Sequence, residues 1–331
     1  MSEILTIEQA IERLRAADDI LLLCHKNPDG DTLGSAGALY WALRQLGKRA
    51  AVLCSDPIPD RYAYMELGAY AEDFEPGYIV AVDVAGLQLF GEATVGYGER
   101  ADLCIDHHPS NSGYAKALLL DGEAAATAEF IYGLLLEMGV EITPCIASCL
   151  YTGVATDTGC FKFANTTPKT HAVAAKLMEL GADYQMLNTL LFESKSRPRL
   201  AIEKRSLENL RYYYGGKCAV VALSREEIEE SGADSTDLEG ITAIPRMIEG
   251  VKVGITVRQQ PTGSYKVSVR TSRDVDACAI AARLGGGGHK QAAGCEIIGG
   301  MKYAVDALLA ETAKELGVEP EQSADEGAAL C

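Results

Sequence analysis

The sequence predicts an α/β protein in two domains, the first a mainly parallel β-sheet flanked by helices, the second a smaller α/β unit. Three observations carry that expectation. Short apolar runs alternate with helical patterns through the first 190 residues. A charged stretch with a proline, FESKSRPR, interrupts them at 192–199, and alternating strand patterns dominate beyond it. At roughly 100 to 200 residues per domain, 331 residues suffice for two cores. The expected boundaries are a first domain over 1–191, a linker over 192–199, a second domain over 200–320 and a flexible tail over 321–331.

Ile7 to Ala17 reads as an amphipathic helix, with Ile7, Ala10, Ile11, Leu14 and Ala17 on one face. Ile20 to Cys24 is apolar throughout, as a strand buried on both faces must be. A Pro/Gly/Asp loop comes next, then a helix from about Thr32 to Leu46 that Gly47 ends. Ala50 to Cys54, Tyr78 to Val84, Leu103 to Ile105 and Ala117 to Leu120 supply further strands, with helical segments near 123–138 and 144–156. Beyond the linker, CAVVALS (218–224), VKVGITVRQ (251–259) and SYKVSVRT (264–271) read as strands, the last two forming a hairpin across QPTG. The terminal EQSADEGAALC has little to pack and is expected to fray.

Composition removes several function classes. With 48% hydrophobic and 23% charged residues the chain is neither disordered nor fibrous. No apolar run reaches the ~18 residues of a membrane helix, and the charged N-terminus lacks a signal peptide's apolar stretch. A cytoplasmic protein without a membrane partner is expected. Ten cysteines without a CxxC pair read as reduced core thiols. A net charge of −17 argues against coating long duplex nucleic acid, since such binding runs on phosphate neutralisation. The charge is uneven: residues 1–190 hold 12 Lys and Arg against 26 Asp and Glu, whereas Lys252 to Lys290 holds seven Lys and Arg against two Asp. One half can gather cations and the other can hold an anion.

Polar residues cluster where apolar runs end. LLLC runs into His25-Lys26-Asn27-Pro28-Asp29-Gly30-Asp31, YIVAV into Asp83, and LCI into Asp106-His107-His108; Asp157 comes after the apolar CIASCLYTGVAT. A single Asp after a strand is usually a turn former or a helix N-cap. Together, in an open parallel sheet, strand C-termini line one crevice, and converging carboxylates buried there without a cation cost several kcal/mol each. The crevice should therefore hold metal. Imidazole and carboxylate donors without thiolate suit manganese or magnesium, and the acids suffice for two ions sharing one Asp.

These residues resemble a known family. His25-x-x-Pro28-Asp29-Gly30-Asp31 with Gly34-Ser35, then Asp83, Asp106-His107-His108, and Asp157 in ATDTGCF are similar to the four motifs of the DHH phosphoesterases. Gly285-Gly286-Gly287-Gly288-His289 with Ala292-Ala293-Gly294 resembles the signature of the DHHA1 domain. The resemblance implies two divalent cations, manganese first and magnesium second. It places His25, Asp29 and Asp83 on one ion and Asp31, Asp83, His107 and Asp157 on the other. It further implies that His108 contacts the scissile phosphate or leaving group, that Asp106 orients the histidine pair, and that the active site lies in an interdomain cleft.

GGGGHK is not a phosphate-binding P-loop, which needs Gly-Lys-Ser/Thr. Glycines nonetheless let backbone N–H groups approach phosphate, so Arg270, Ser272, Gly286, Gly287, Gly288 and His289 are the expected substrate-binding residues. His171 reads as a helix-terminal polar residue, Trp41 as core, and Tyr212-Tyr213-Tyr214 as interdomain packing. Within the family, a stand-alone chain of this length is similar to nanoRNases that also remove the 3′-phosphate of 3′-phosphoadenosine 5′-phosphate (pAp). Short RNA or DNA oligonucleotides and nucleotides are then the substrates, and a homodimer is compatible with the sequence. Two alternatives are a stand-alone phosphodiesterase for cyclic di-AMP or pApA and a nucleotide-binding regulatory module with an inactive site.

Overall fold

In the computed structural model, which describes residues 2–234, 237–238 and 240–323, the apolar runs of the first half become strands of one parallel sheet. The elements are β1 (Glu3–Ile4), α1 (Ile7–Ala16), β2 (Ile20–Leu23), α2 (Gly30–Gln45), β3 (Ala50–Leu53) and β4 (Tyr78–Val82). They continue with α3 (Glu92–Gly98), β5 (Leu103–Asp106), β6 (Ala117–Leu120), α4 (Thr127–Glu137), α5 (Pro144–Asp157), α6 (Pro168–Glu179) and α7 (Tyr184–Asn188). The strand order is β1-β6-β5-β4-β2-β3, and every pairing is parallel. β2 and β5 are buried at every position because one core, under α1, α2, α4 and α5, lies on one face of the sheet and a smaller core lies on the other. β1 is only two residues long and escapes detection by pattern.

Two helix starts differ from the expectation, each for a local reason. α2 begins at Gly30 rather than Thr32, because Asp29 caps it by accepting from the amides of Asp31 at 3.0 Å and Thr32 at 3.2 Å. α4 begins at Thr127 rather than near 123. The alanines before it have helical propensity, but the carbonyls of Ala124 and Ala125 instead accept from His107 and Asn165.

The chain divides between Ser194 and Lys195 into two compact units. The segment 192–199 holds the end of a π-helical turn (Thr189–Glu193) and the start of α8 (Arg197–Glu208). The second unit continues with β7 (Leu210–Tyr213), β8 (Cys218–Leu223), α9 (Arg225–Ser231), β9 (Val253–Gln259), β10 (Tyr265–Thr271), α10 (Ala277–Ala282), β11 (Gly287–His289), β12 (Ala292–Ile297) and α11 (Met301–Leu316). Its sheet runs β11-β12-β10-β9-β8-β7, antiparallel except between β8 and β9, and β9 and β10 form the expected hairpin. The second half of the GGGGH segment is a strand: Gly287–His289 pairs with β12, and Lys290-Gln291 turn between them. Tyr214 belongs to this unit's own core, donating its hydroxyl to Leu309 O at 2.7 Å. Residues 321–323 do not fray: Glu321 accepts from the Tyr214 amide at 2.9 Å, and Ser323 donates to Asp306 at 2.6 and 2.7 Å. The rest of the expected tail, 324–331, lies outside the described residues. The described cysteines are free thiols, and no described helix is long and apolar enough to cross a membrane.

Candidate functional site

Because the sheet is parallel, β2, β4 and β5 end on one edge and deliver His25, Asp83 and Asp106-His107-His108 there. The chain reverses its direction of travel across the sheet between β2 and β4, and such a switch point opens a crevice at the strand C-termini. α2 adds Asp29 and Asp31 from its N-terminus, and α5 adds Asp157 from its C-terminus. The close crossing of these helices depends on glycine. A Cβ on Gly34 would stand 2.3 Å from Cys149 O, and one on Gly153 would stand 2.6 Å from Asp31 Oδ1.

Three groups of donor atoms result, each with its members within 4.8 Å of one another: His25, Asp29 and Asp83; Asp31, His107 and Asp157; and Asp83, His107 and His108. Asp83 belongs to two of them. His25 Nε2 lies 3.5 Å from Asp29 Oδ1 and 4.0 Å from Asp83 Oδ2. His107 Nε2 lies 3.6 Å from Asp157, 3.7 Å from Asp83 and 4.0 Å from Asp31.

The imidazole tautomers decide whether this cluster fits a cation. His107 Nδ1 faces Ala124 O at 3.0 Å and His25 Nδ1 faces Lys26 O at 2.8 Å. A carbonyl can only accept, so both Nδ1 atoms carry a proton, and each Nε2 faces carboxylates across a gap that a cation, either a proton or a metal ion, would fill. His107 Nε2 is buried without a hydrogen-bond partner. Lone pair against carboxylate is repulsive until a cation stands between them, so the donor set fits metal.

The carboxylates titrate accordingly. Burial holds Asp83 well above the usual range, and neighbouring Asp31 adds to it. Asp31 is pushed up to about 7 by burial and then by Asp157, and Asp157 is itself raised by burial. Burial also pushes on Asp29, but His25 and two backbone amides outweigh it and its pKa falls. Asp106, fully buried, is likewise pushed up by burial, but hydrogen bonds from His108 and Asn111 bring it below the ordinary value. His108 Nδ1 donates to Asp106 at 2.7 Å, which raises the histidine's pKa.

Several residues that hold this arrangement carry no motif. Thr127 donates its amide to Asp31 at 2.7 Å and its hydroxyl to Asp83 at 2.8 Å, and the Ala128 amide donates to Asp31 at 3.0 Å. Asn111 donates to Asp106 at 2.6 Å, and Ser35, which is part of the first motif, donates to Asp31 at 3.2 Å. A threonine opening a helix after an Ala-rich turn was the available signal for Thr127, and it is too common to single out. Asp83 itself sits in the left-handed region at φ 60°, which sterics disfavour for a residue with a side chain.

In the second unit, Arg270 pairs with Ala292, which pairs with His289, so the three stand in one row across the sheet. Ser268, Gly294 and Gly287 form the next row, a floor of small residues. A Cβ on Gly286 or Gly288 would strike β12, whereas at Gly287 it would meet open space. Ser272 lies past the end of β10 with its hydroxyl on Asp274 at 2.5 Å.

Fold and cluster define a metal-dependent phosphoesterase. Residues 19–154 match the DHH family N-terminal domain and residues 215–316 the DHHA1 domain, so the chain belongs to the DHH family. It is similar to the bifunctional oligoribonuclease and PAP phosphatase NrnA of Thermus thermophilus, 34% identical over 92% of this chain and 93% of that protein. The enzyme of the same name from Bacillus subtilis is 26% identical over 87% of this chain and 92% of its own length. Among solved structures, an exopolyphosphatase-related protein from Bacteroides fragilis superposes with a TM-score of 0.83 at 26% identity, covering 93% of this chain and 95% of that one.

Proposed function

We propose that the protein hydrolyses very short oligoribonucleotides to mononucleotides and removes the 3′-phosphate of pAp, using two divalent cations, manganese before magnesium. The observation that carries this is the pair of imidazole Nε2 atoms, at His25 and His107, that face a shared carboxylate, Asp83. His25, Asp29 and Asp83 would hold one cation; Asp31, Asp83, His107 and Asp157 would hold the other. Cations there supply a lowered water pKa and offset charge developing on the phosphoryl oxygens. Oxygen and nitrogen donors without thiolate favour manganese or magnesium.

The chain's own residues do the rest. His108, with Nδ1 committed to Asp106 and its pKa raised, is a positioned acid whose Nε2 can give a proton to the leaving oxygen. Asp106 stays anionic and fixes that tautomer. Arg270, Ser272, Gly286, Gly287, Gly288 and His289 bind the substrate's phosphate and sugar, Arg270 by its guanidinium and the glycines by keeping the floor low. The names of the Thermus and Bacillus relatives support this substrate class. So does the net charge of −17, which repels a long strand but leaves a few nucleotides to metals and one basic face.

The test is incubation of the protein and Mn²⁺ with labelled RNA of about two to twenty-four nucleotides, with pAp and with cyclic di-AMP. Rapid loss of the shortest RNAs and of pAp, with the longest spared, is expected. Preferential turnover of the cyclic dinucleotide, or equal attack at every length, overturns the assignment.

A further inference from the structure

The loop after Asp157 is held in an unfavourable shape. Gly159, Cys160 and Phe161 adopt φ of 57°, 59° and 63° in succession, and for the two with side chains this left-handed region is strained. Strain of this kind persists only where surrounding contacts impose it, and here they are identifiable. Phe161 stacks on His171 with ring centroids 5.2 Å apart and meets Tyr151 edge-on at 6.3 Å. The amides of Lys162 and Phe163 donate to Thr158 O at 2.9 and 3.0 Å. Asn165 donates to Ala125 O at 2.9 Å and to Asp157 O at 3.2 Å, while the adjacent Ala124 O fixes His107. The loop is therefore pinned to the segment that orients a candidate ligand.

Phe163 is what this turn displays. Its ring rests on Gly159, where a Cβ would come within 2.4 Å of it. The residue is 59% exposed, and among the described residues of the first unit it is the only exposed Phe, Tyr or Trp. Single exposed apolar residues are ordinary on surfaces. This one is distinguished by a strained loop that directly follows the candidate ligand Asp157 and is anchored to its carbonyl through Asn165, and by an exposed cation, Lys162, next to it.

We propose that Phe163 is a stacking platform for a nucleobase of the substrate and so a specificity-determining residue. The inference rests on the oligonucleotide reading above. A base lies one sugar from its phosphate, and the loop carries the ring from the candidate ligand Asp157 by six residues and back against Gly159. The face of an aromatic ring accepts any base, which matches a site that must process successive nucleotides of unrelated sequence.

Phe163→Ala should raise KM for a dinucleotide by about tenfold with kcat little changed, Phe163→Trp should restore it, and turnover of an abasic analogue should be unaffected. Equal loss on base-bearing and abasic substrates, or no loss on either, overturns the proposal. A second readout needs no turnover: a 2-aminopurine dinucleotide bound to the Asp157→Asn variant should be quenched, and adding Phe163→Ala should relieve the quenching. Unchanged quenching overturns the proposal even if hydrolysis is vigorous. Quenching that depends on Phe163 in a protein that hydrolyses no oligonucleotide would uphold the platform and sink the catalytic reading instead.

Discussion

The strand ends of the first unit and the glycine hairpin of the second both use short β-strands, in opposite ways. At the first, side chains matter: Asp31, Asp83 and Asp106 are buried, and two imidazoles point Nε2 atoms at carboxylates. At the second, backbone matters: Gly286 and Gly288 admit no Cβ against β12, Gly287 and Gly294 keep a floor flat, and Arg270 and His289 stand beside it. The first region gathers buried carboxylates and imidazoles that could hold a cation, whereas the glycine hairpin buries no such cluster. Chemistry should therefore concentrate in one and affinity in the other.

Paired substitutions test that division most directly. Asp83→Ala removes the carboxylate common to two donor groups and should lower kcat on the order of a thousandfold, with metal binding lost by calorimetry. Arg270→Ala should instead raise KM and leave metal binding intact; parallel loss of both in the two variants would erase the distinction.

A smaller effect is expected in chelated protein. Asp31 titrates at about 7 when folded against roughly 4 when unfolded, so the native state holds the extra proton between those values. Asp31 alone should lower the stability of the metal-free protein by roughly 4 kcal/mol as pH rises from about 4 to 7. Manganese should flatten the slope; melting curves at several pH values, with and without it, provide the check.

The finest distinction concerns Thr127. Thr127→Val keeps the amide to Asp31 but removes the hydroxyl from Asp83, and should weaken metal affinity by about tenfold, with Thr127→Ser close to the parent. Unchanged affinity in the valine variant would reduce the threonine to packing.

Much of the first unit is legible in the sequence because it depends on local chemistry. A strand covered on both faces must be apolar throughout, which exposes β2, β4 and β5, and a sheet of parallel strands must gather the residues just past their C-terminal ends. The residues that hold the cluster are not legible. Thr127 is 96 residues from Asp31 and 44 from Asp83, and neither separation leaves a pattern. The strand character of GGGGH is hidden because glycine has poor strand propensity, and only pairing with β12 stabilises it. Tyr214 packs within one unit rather than between two, because nothing local reveals which core a tyrosine joins.

The glycines at the α2–α5 crossing act as a gauge. At Gly34 a Cβ would strike Cys149 O, and at Gly153 it would strike Ala128 Cβ and Asp31 Oδ1, so the spacing of the two helices that carry Asp31 and Asp157 is set by the smallest side chains available. A single methyl added at Gly34 would force the two helices apart while every candidate ligand residue stays the same. The room offered to any cation between those carboxylates is thus written into packing several residues away, where one substitution could retune the site while every candidate ligand stays unchanged.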